Sequence, residues 1–262
     1  VGCAVKHNGE YILPTGNEAG VLMLDYICRC KKELGTFPVN PVAVKSIVSS
    51  DLSTMIAESY GAEMRNVLTG FKYIGELMTE LQEKGEENRF ELGFEESYGY
   101  LKGTYARDKD AVVASMLICE MTAFYKARGM TLCDAREALW KKYGFCYESN
   151  LEIYLEGLDG AARMKALMSA LRENPPADFG GVKVSQIRDY LLGTILEQGS
   201  ITPTGLPSSN VLYYRLENGD VIVARPSGTE PKIKFYYLLQ AEDESDAKAK
   251  LSRYAETLNA RV

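Results

Sequence analysis

Two rhythms of apolar residues run along the chain. In NEAGVLMLDYICRCKKELG, Val21, Leu24 and Cys28 recur at helical spacing, Lys31 and Lys32 suit a C-terminal turn, and Gly35 marks the stop. The segment before it, VGCAV, alternates instead, with Val1, Cys3 and Val5 on one side of an expected strand that turns at His7-Asn8-Gly9. The β-branched AVKSIVSS predicts a second strand, and DLSTMIAESYGA a helix capped near Ser50 or Asp51 and closed by Gly61. Strand then helix returns in AEMRNVLTG and FKYIGELMTELQEKG, and again in RFELGFEES and KDAVVASMLICEMTAFYKARG. That alternation predicts a mixed, largely parallel sheet with helices on both faces, on which ligands sit beyond the carboxyl ends of the strands. GFEESYGY falls at such an end.

After TLCDAREALWKKYG the rhythm changes. CYESNLEIYLEG reads as a strand, DGAARMKALMSALREN as a helix and NPPADFGG as a break. VLYYRL and VIVAR flank Asn218-Gly219, a strong hairpin signal. KIKFYYLLQ continues as a strand, and a last helix holds Ala247, Leu251, Tyr254 and Leu258 in register. The expected fold class is an α/β domain followed by a smaller α+β domain with an antiparallel sheet, the boundary lying near residue 145.

Composition narrows the function. A chain of 262 residues, 46% hydrophobic, is long enough for two modest cores. Its net charge of −6 predicts a soluble surface with no bulk attraction for nucleic acid or a membrane, so any anion site must be local. No apolar run approaches the roughly 20 residues of a membrane helix, and no leader pattern opens the chain; the expected location is cytoplasmic. Six cysteines are scattered without a C-x-x-C pair, and Cys28 and Cys30 point to different faces of a helix, which favours buried or idle thiols over a metal site. The absence of an initial Met, with alternation already under way, reads as a chain cut within an element.

Three clusters carry candidate chemistry. In RPSGTEP, Arg225 offers a planar fork of donors, Ser227 and Thr229 offer hydroxyls, and Gly228 can take positive φ so that backbone N–H groups converge, while Pro226 and Pro231 stiffen the flanks. Two readings fit: a phosphate-binding loop, or an ordinary strand connection in which Arg225 pairs with a carboxylate such as Glu230. GFEESYGY places Glu95, Glu96 and Ser97 at a strand end. Glu95 and Ser97, two apart in an extended segment, share a side suited to sugar hydroxyls or a cation; a solvated acidic loop is the other reading. YARDKDAV brings Arg107, Asp108, Lys109 and Asp110 to a helix start, where an aspartate caps and cations are unfavourable unless they face an anion; a solvated charge cluster is the other reading. The single histidine, His7, reads as a solvated turn residue, and no Ser/His/Asp set forms around it.

Taken in order, TGFKYIG, GFEESYGY, YARDKDAV and RPSGTEPKIKFYY resemble the second half of the α-D-phosphohexomutases, most closely the bacterial phosphoglucomutase and phosphomannomutase branch. The resemblance covers essentially the whole chain. It implies that residues 1–15 are a remnant of the family's second domain, 16–144 its third, sugar-binding domain, and 145–262 its fourth, phosphate-binding domain. By the same resemblance Glu95 and Ser97 match positions that grip sugar hydroxyls, and Lys109 the basic residue beside them. Thr69, Gly70, Phe71 and Lys72 match a sugar-recognition loop, and Arg225, Ser227, Gly228 and Thr229 the loop clasping the phosphate that is not transferred.

The reaction so implied moves a phosphoryl group between the 1- and 6-positions of a hexose through a phosphoserine and a glucose 1,6-bisphosphate-type intermediate, with Mg2+ at the transferring phosphate. The chain departs from the family in lacking the T-A-S-H-N-P-like phosphoserine segment and the D-G-D-x-D-R-like magnesium segment, both of which precede the third domain. No catalytic residue or metal ligand is therefore expected here, the isolated chain is expected to be inactive, and the N-terminal domains of the same protein are its expected partner beside a hexose phosphate. The two binding clusters are expected to face one another across a crevice. A phosphopentomutase or phosphoglucosamine mutase relative, or a non-catalytic sugar-phosphate-binding module, remain as alternatives.

Overall fold

The computed structural model describes residues 1–155 and 157–261, and the chain divides into two compact units, Val1–Gly144 and Phe145–Val262. The first opens with a hairpin of β1 (Val5–His7) and β2 (Glu10–Ile12), turning through Asn8 at φ 50° and Gly9 at φ 89°. The expected strand from Val1 therefore begins only at Val5, because β2 is long enough to pair with three residues and no more. His7 is not a solvated turn residue either: it is half-buried, with Nδ1 3.0 Å from Thr131 Oγ1.

Helix α1 (Gly16–Glu33) starts in a capping box, Thr15 Oγ1 accepting the Glu18 N–H and Glu18 Oε2 accepting the Thr15 N–H at 2.8 Å. Then follow β3 (Val42–Ser46), α2 (Leu52–Tyr60), β4 (Glu63–Val67), α3 (Phe71–Glu83), β5 (Phe90–Glu95), β6 (Gly99–Leu101), α4 (Ala111–Lys126) and α5 (Leu132–Tyr143). The sheet runs β4-β3-β5-β6, the first three strands parallel and β6 antiparallel to β5. On one face Phe71, Ile74, Leu77, Met78 and Leu81 of α3 pack against Val42, Val44, Phe90 and Leu101, each such side chain stabilising by about 2 kcal/mol. The other face meets α1 at Gly20, where a Cβ would lie 2.5 Å from the Phe94 ring. A register shift after Val42 lets Phe90 and Phe94 serve opposite faces, and the fully buried Glu91 beside Phe90 is held by Lys31 at 2.8 Å and Lys102 at 3.1 Å.

The second unit comprises β7 (Phe145–Tyr154), α6 (Gly160–Glu173), β8 (Asp178–Phe179), β9 (Val182–Asp189), β10 (Thr194–Glu197), β11 (Ser200–Pro203), β12 (Leu212–Leu216), β13 (Val221–Pro226), β14 (Lys232–Ala241) and α7 (Glu244–Asn259). The strand expected over CYESNLEIYLEG starts one residue earlier, and its Glu156 lies outside the described residues. The antiparallel sheet runs β11-β10-β9-β12-β13-β14-β7, with β8 paired to β9. Alternate residues Leu212, Tyr214, Leu216, Ile222, Ala224, Ile233, Phe235, Tyr237 and Leu239 form one face, closed by Leu167, Met168 and Leu171 of α6 and Tyr254 and Leu258 of α7.

The β12–β13 turn has Gly219 at φ 88°, and the buried Asp220 after it accepts from Gln240 N–H at 2.8 Å and Tyr254 Oη–H at 2.7 Å. Strands β6 and β8 to β11 were outside the periodicity reading: β6 and β8 are two or three residues long, and β10 and β11 are half-exposed or exposed, so no apolar run marks those four, whereas β9 does alternate at Val182-Lys183-Val184-Ser185 and packs its valines on the core. No helix among the described residues is long and apolar enough to cross a membrane.

Candidate functional site

The hairpin β5–β6 carries the acidic cluster. Glu95 is the last residue of β5 and pairs with Gly99, and Glu96, Ser97 and Tyr98 form the turn, Tyr98 at φ 63°. Ser97 therefore does not continue the strand, and the expectation that it shares a side with Glu95 through two-residue alternation is corrected, because Ser97 lies in the turn of the hairpin rather than on the strand. Glu95 is only 8% exposed, and its Oε1 accepts the Gly70 N–H at 2.6 Å. Gly70 caps α3 at φ 120° and has no side chain to offer the free N–H groups of the first turn. Glu95 supplies from a neighbouring strand the anion that a capping side chain would give. The carboxylate thus fastens the loop Thr69–Lys72 to the end of β5.

Lys109 joins the same patch. A Cβ on Gly99 would lie 2.6 Å from Lys109 Cδ, so the lysine stem runs over bare backbone there. Its ammonium stands 5.1 Å from the centroid of the Phe71 ring and 2.8 Å from Asp108 Oδ1. The side-chain hydrogen bond from Lys109, followed by that from its N–H, holds the Asp108 carboxyl below the ordinary range. Ser97 and Lys109, with Tyr98, Tyr100 and Asp110, line a hollow of about 310 Å³.

Asp110 caps α4 by accepting from the Val112 and Val113 N–H groups, and its carboxyl is also held low, chiefly by Tyr105 Oη–H. Arg107 turns away from that helix start and donates to the carbonyls of Thr104 and Ala106 and to Thr79 Oγ1. Lys72 also departs from the cluster. It is exposed, lies over the Tyr73 ring and lines a separate hollow of about 440 Å³ with Gly75, Thr79 and Arg107, because the first turn of α3 rotates it away from Phe71. The structure thus brings Glu95, Ser97, Gly70, Phe71 and Lys109 together and leaves Lys72 outside.

In the second unit RPSGTEP links β13 to β14. The Ser227 N–H donates to Lys232 O, and the Lys232 N–H donates to Glu230 O, each at 2.8 Å. Ser227 Oγ accepts the N–H groups of Thr229 at 3.3 Å and Glu230 at 3.2 Å. These bonds make a tight closed loop, and they correct two expectations. Gly228 does not take positive φ, and a Cβ there would meet nothing within 4 Å. The N–H groups of Thr229 and Glu230 turn toward the Ser227 hydroxyl, so the loop satisfies itself rather than opening a ring of donors.

The alternative pairing of Arg225 with Glu230 does not form, since Glu230 pairs with Lys232 at 2.8 Å and Arg225 donates to Tyr236 Oη at 3.4 Å. Across the ladder Arg225 stands opposite Lys234, which with Lys232 and Tyr154 grips Glu152. Hydrogen bonds from Lys234, Tyr154 and Lys232 pull the Glu152 carboxyl down to about 2. Tyr236 was missed by sequence reasoning because β14 looks like core throughout; its place beside Arg225 follows from the ladder alone. Among the described residues no group of three or more His, Cys, Asp or Glu is placed to hold a metal ion.

The chain is similar to known proteins along most of its length. The family model described as phosphoglucomutase/phosphomannomutase, alpha/beta/alpha domain III, matches residues 15–143. The phosphoglucomutase of Staphylococcus aureus (strain bovine RF122 / ET3-1) is 36% identical over 247 residues, which are 94% of this chain and 43% of the relative. Among solved structures, parafusin, a phosphoglucomutase from Paramecium in its open form, superposes with a TM-score of 0.65 at 18% identity, over 98% of this chain and 42% of its own. A serine-to-alanine variant of an Aspergillus fumigatus N-acetylphosphoglucosamine mutase, in complex with glucose 1,6-bisphosphate, does so at 0.50 and 14% identity, over 97% and 44%. At those identities the structures speak for the fold alone. The chain spans about 43% of the length of the curated relatives it matches. With the matched domain running from the α1 cap to the end of α5 and the sequence likeness continuing through the second unit, this chain belongs to the phosphoglucomutase/phosphomannomutase family.

Proposed function

We propose that the chain is the sugar- and distal-phosphate-binding part of a phosphohexomutase, with residues 16–144 acting as the family's third domain and 145–262 as its fourth. The observation that supports this most is the joining of Glu95, Gly70, Phe71 and Lys109, from three separate motifs, into one patch at the carboxyl end of β5. Glu95 Oε1 holds Gly70, and its other oxygen accepts from sugar hydroxyls; Ser97 donates or accepts beside it. The Lys109 ammonium offsets the charge of the ligand. In the second unit Arg225 and the hydroxyl of Thr229 take the phosphate, and Gly228, with open space around it, lets the ligand approach the backbone.

Binding of Ser227 Oγ–H to the phosphate is compatible with its role in the loop, because the two N–H groups use its lone pairs and leave its proton free to donate. The phosphoserine and the magnesium ligands belong, on this reading, to the segments of longer relatives that this chain does not contain, and no step is assigned to its residues beyond binding and orientation. Glucose 1,6-bisphosphate, the ligand of the Aspergillus relative, is the expected intermediate of the full-length protein, and its activity is phosphohexomutase isomerisation.

Isothermal titration of the 262-residue chain with glucose 1-phosphate and glucose 6-phosphate tests the reading. Arg225→Ala is expected to weaken both about thirtyfold, the size of a charge-assisted hydrogen-bond pair. Equal affinity in wild type and Arg225→Ala would remove the phosphate assignment, and mutase turnover at enzyme rates would remove the claim that this chain is catalytically incomplete.

A further inference from the structure

The turn that carries Ser97 is held from two sides. Ser46, at the carboxyl end of β3, and Ser49, in the loop after it, are both fully buried. Their hydroxyls lie 2.8 Å apart and converge on one carboxylate oxygen, Glu96 Oε2, at 3.1 Å from Ser46 Oγ and 3.5 Å from Ser49 Oγ. The loop that presents them is itself tied down: the Ser49 N–H donates to Ser46 O, and the Ser50 N–H donates to Asn17 Oδ1 at 2.9 Å. On the other side Gly16 is so close that a Cβ there would lie 1.9 Å from Glu96 O, while Tyr100, in the return strand, donates to Gly16 O at 2.9 Å.

Two buried hydroxyls aimed at a carboxylate cost desolvation unless the bond is made, so the arrangement favours one position of Glu96 over others. Glu96 lies between Glu95 and Ser97. We infer that Ser46 and Ser49 are positioning residues that act through Glu96 to set the Glu95–Ser97 turn for sugar binding; the last clause rests on the sugar-binding role proposed above. The hydrogen-bond count makes the order specific. Each hydroxyl has one proton, and one of the two is spent between the serines, so a single proton reaches Glu96. Ser46, the nearer at 3.1 Å, is the better placed to donate it, and Ser49, at 3.5 Å, can take over when Ser46 is lost.

The test uses the 262-residue chain and reads hydrogen exchange of the β5–β6 amides beside binding. In Ser46→Ala/Ser49→Ala the amides of residues 95–101 are expected to exchange about tenfold faster, as for loss of one hydrogen bond to a charged group, with β4 and the second unit unchanged. Adding the serine substitutions to Glu96→Ala should then have no further effect, since the three act through one contact. Glucose 1-phosphate affinity should fall about tenfold while inorganic phosphate affinity at the Arg225 loop stays the same, a split that general loosening would not produce. Should the double variant fail to fold, Ser49→Ala alone is expected to speed the same amides about threefold, because its hydroxyl is the farther one and secures the nearer.

Unchanged exchange in the turn, or additive effects with Glu96→Ala, overturns the proposal even if wild type binds sugar phosphate normally. Faster, non-additive exchange in a protein that shows no glucose 1-phosphate binding upholds the clamp on the turn and removes the sugar-binding reading instead.

Discussion

At the scale of single residues, the close approach of backbone to backbone at Gly16 carries a large expected cost. A Cβ placed there would stand 1.9 Å from the Glu96 carbonyl oxygen, and neither the α1 cap nor the turn can yield without losing its own hydrogen bonds. Gly16→Ala is expected to destabilise the first unit by about 3 kcal/mol. Urea unfolding followed by the fluorescence of Trp140, the only tryptophan and a residue of α5, measures it.

The cysteines give a second expectation at this scale. Burial first, then the charges of Glu91 and Asp25, push the Cys28 thiol up to about 12. Cys119 is exposed on α4. Iodoacetamide at pH 8 is therefore expected to label Cys119 in the native protein and to reach Cys28 and Cys133 only after unfolding, which peptide mass mapping reads. Much of this scale was legible in the sequence by residue type alone: Arg225, Glu95 and Lys109 could be chosen as candidates from their neighbours in the chain. The partners that hold them could not, because Gly70, Phe71 and Gly99 meet Glu95 and Lys109 only when separate elements pack.

At the scale of elements, the β7–β14 pair carries a charge ladder that predicts a response to acid. Glu152 has a folded pKa near 2 against an ordinary 4.5, so it stabilises the second unit above pH 4.5 and that contribution is lost as pH falls through 2. Glu152→Gln should flatten the decline in stability between those limits. A carboxyl titration followed by NMR gives the midpoint directly, and a midpoint at the ordinary value would refute the role of Lys234, Tyr154 and Lys232.

Long elements with a clear period were readable: α3 buries the apolar positions that FKYIGELMTELQEKG marks, and α7 buries Ala247, Tyr254 and Leu258 with Leu251 packed beside them. Short or edge strands were not. Residues of β11 are exposed throughout, so their pairing is decided by the backbone ladder to β10 and leaves no trace in hydropathy. The turn at Glu96–Tyr98 shows the same limit from the other direction, since a run of acidic residues looks extended until a reversal at Tyr98 makes the second strand of the hairpin.

At the scale of the whole molecule, each unit has its own core: α3 and the β4-β3-β5-β6 sheet in the first, α6 and α7 on the antiparallel sheet in the second. A protein of residues 145–262 alone is therefore expected to fold, with dispersed amide signals and retained β14–β7 pairing. Collapse of that segment to an unfolded spectrum would show that its sheet depends on the first unit. If it folds, comparing inorganic phosphate binding by the segment with and without Arg225→Ala tests the phosphate role proposed for that residue.

The sequence by itself determined the order of the major elements, the change from parallel to antiparallel architecture after Gly144, and the residue types available for binding, because periodicity, turn chemistry and charge are local properties. Only the tertiary structure decided which of those residues meet. It gave Glu95 to Gly70, turned Lys72 away from Phe71, closed the Ser227 loop on its own N–H groups and set Ser46 and Ser49 against Glu96, about 50 positions along the chain. Such pairings depend on where strands end and how helices rotate as they pack, and no neighbouring residue in the chain records that.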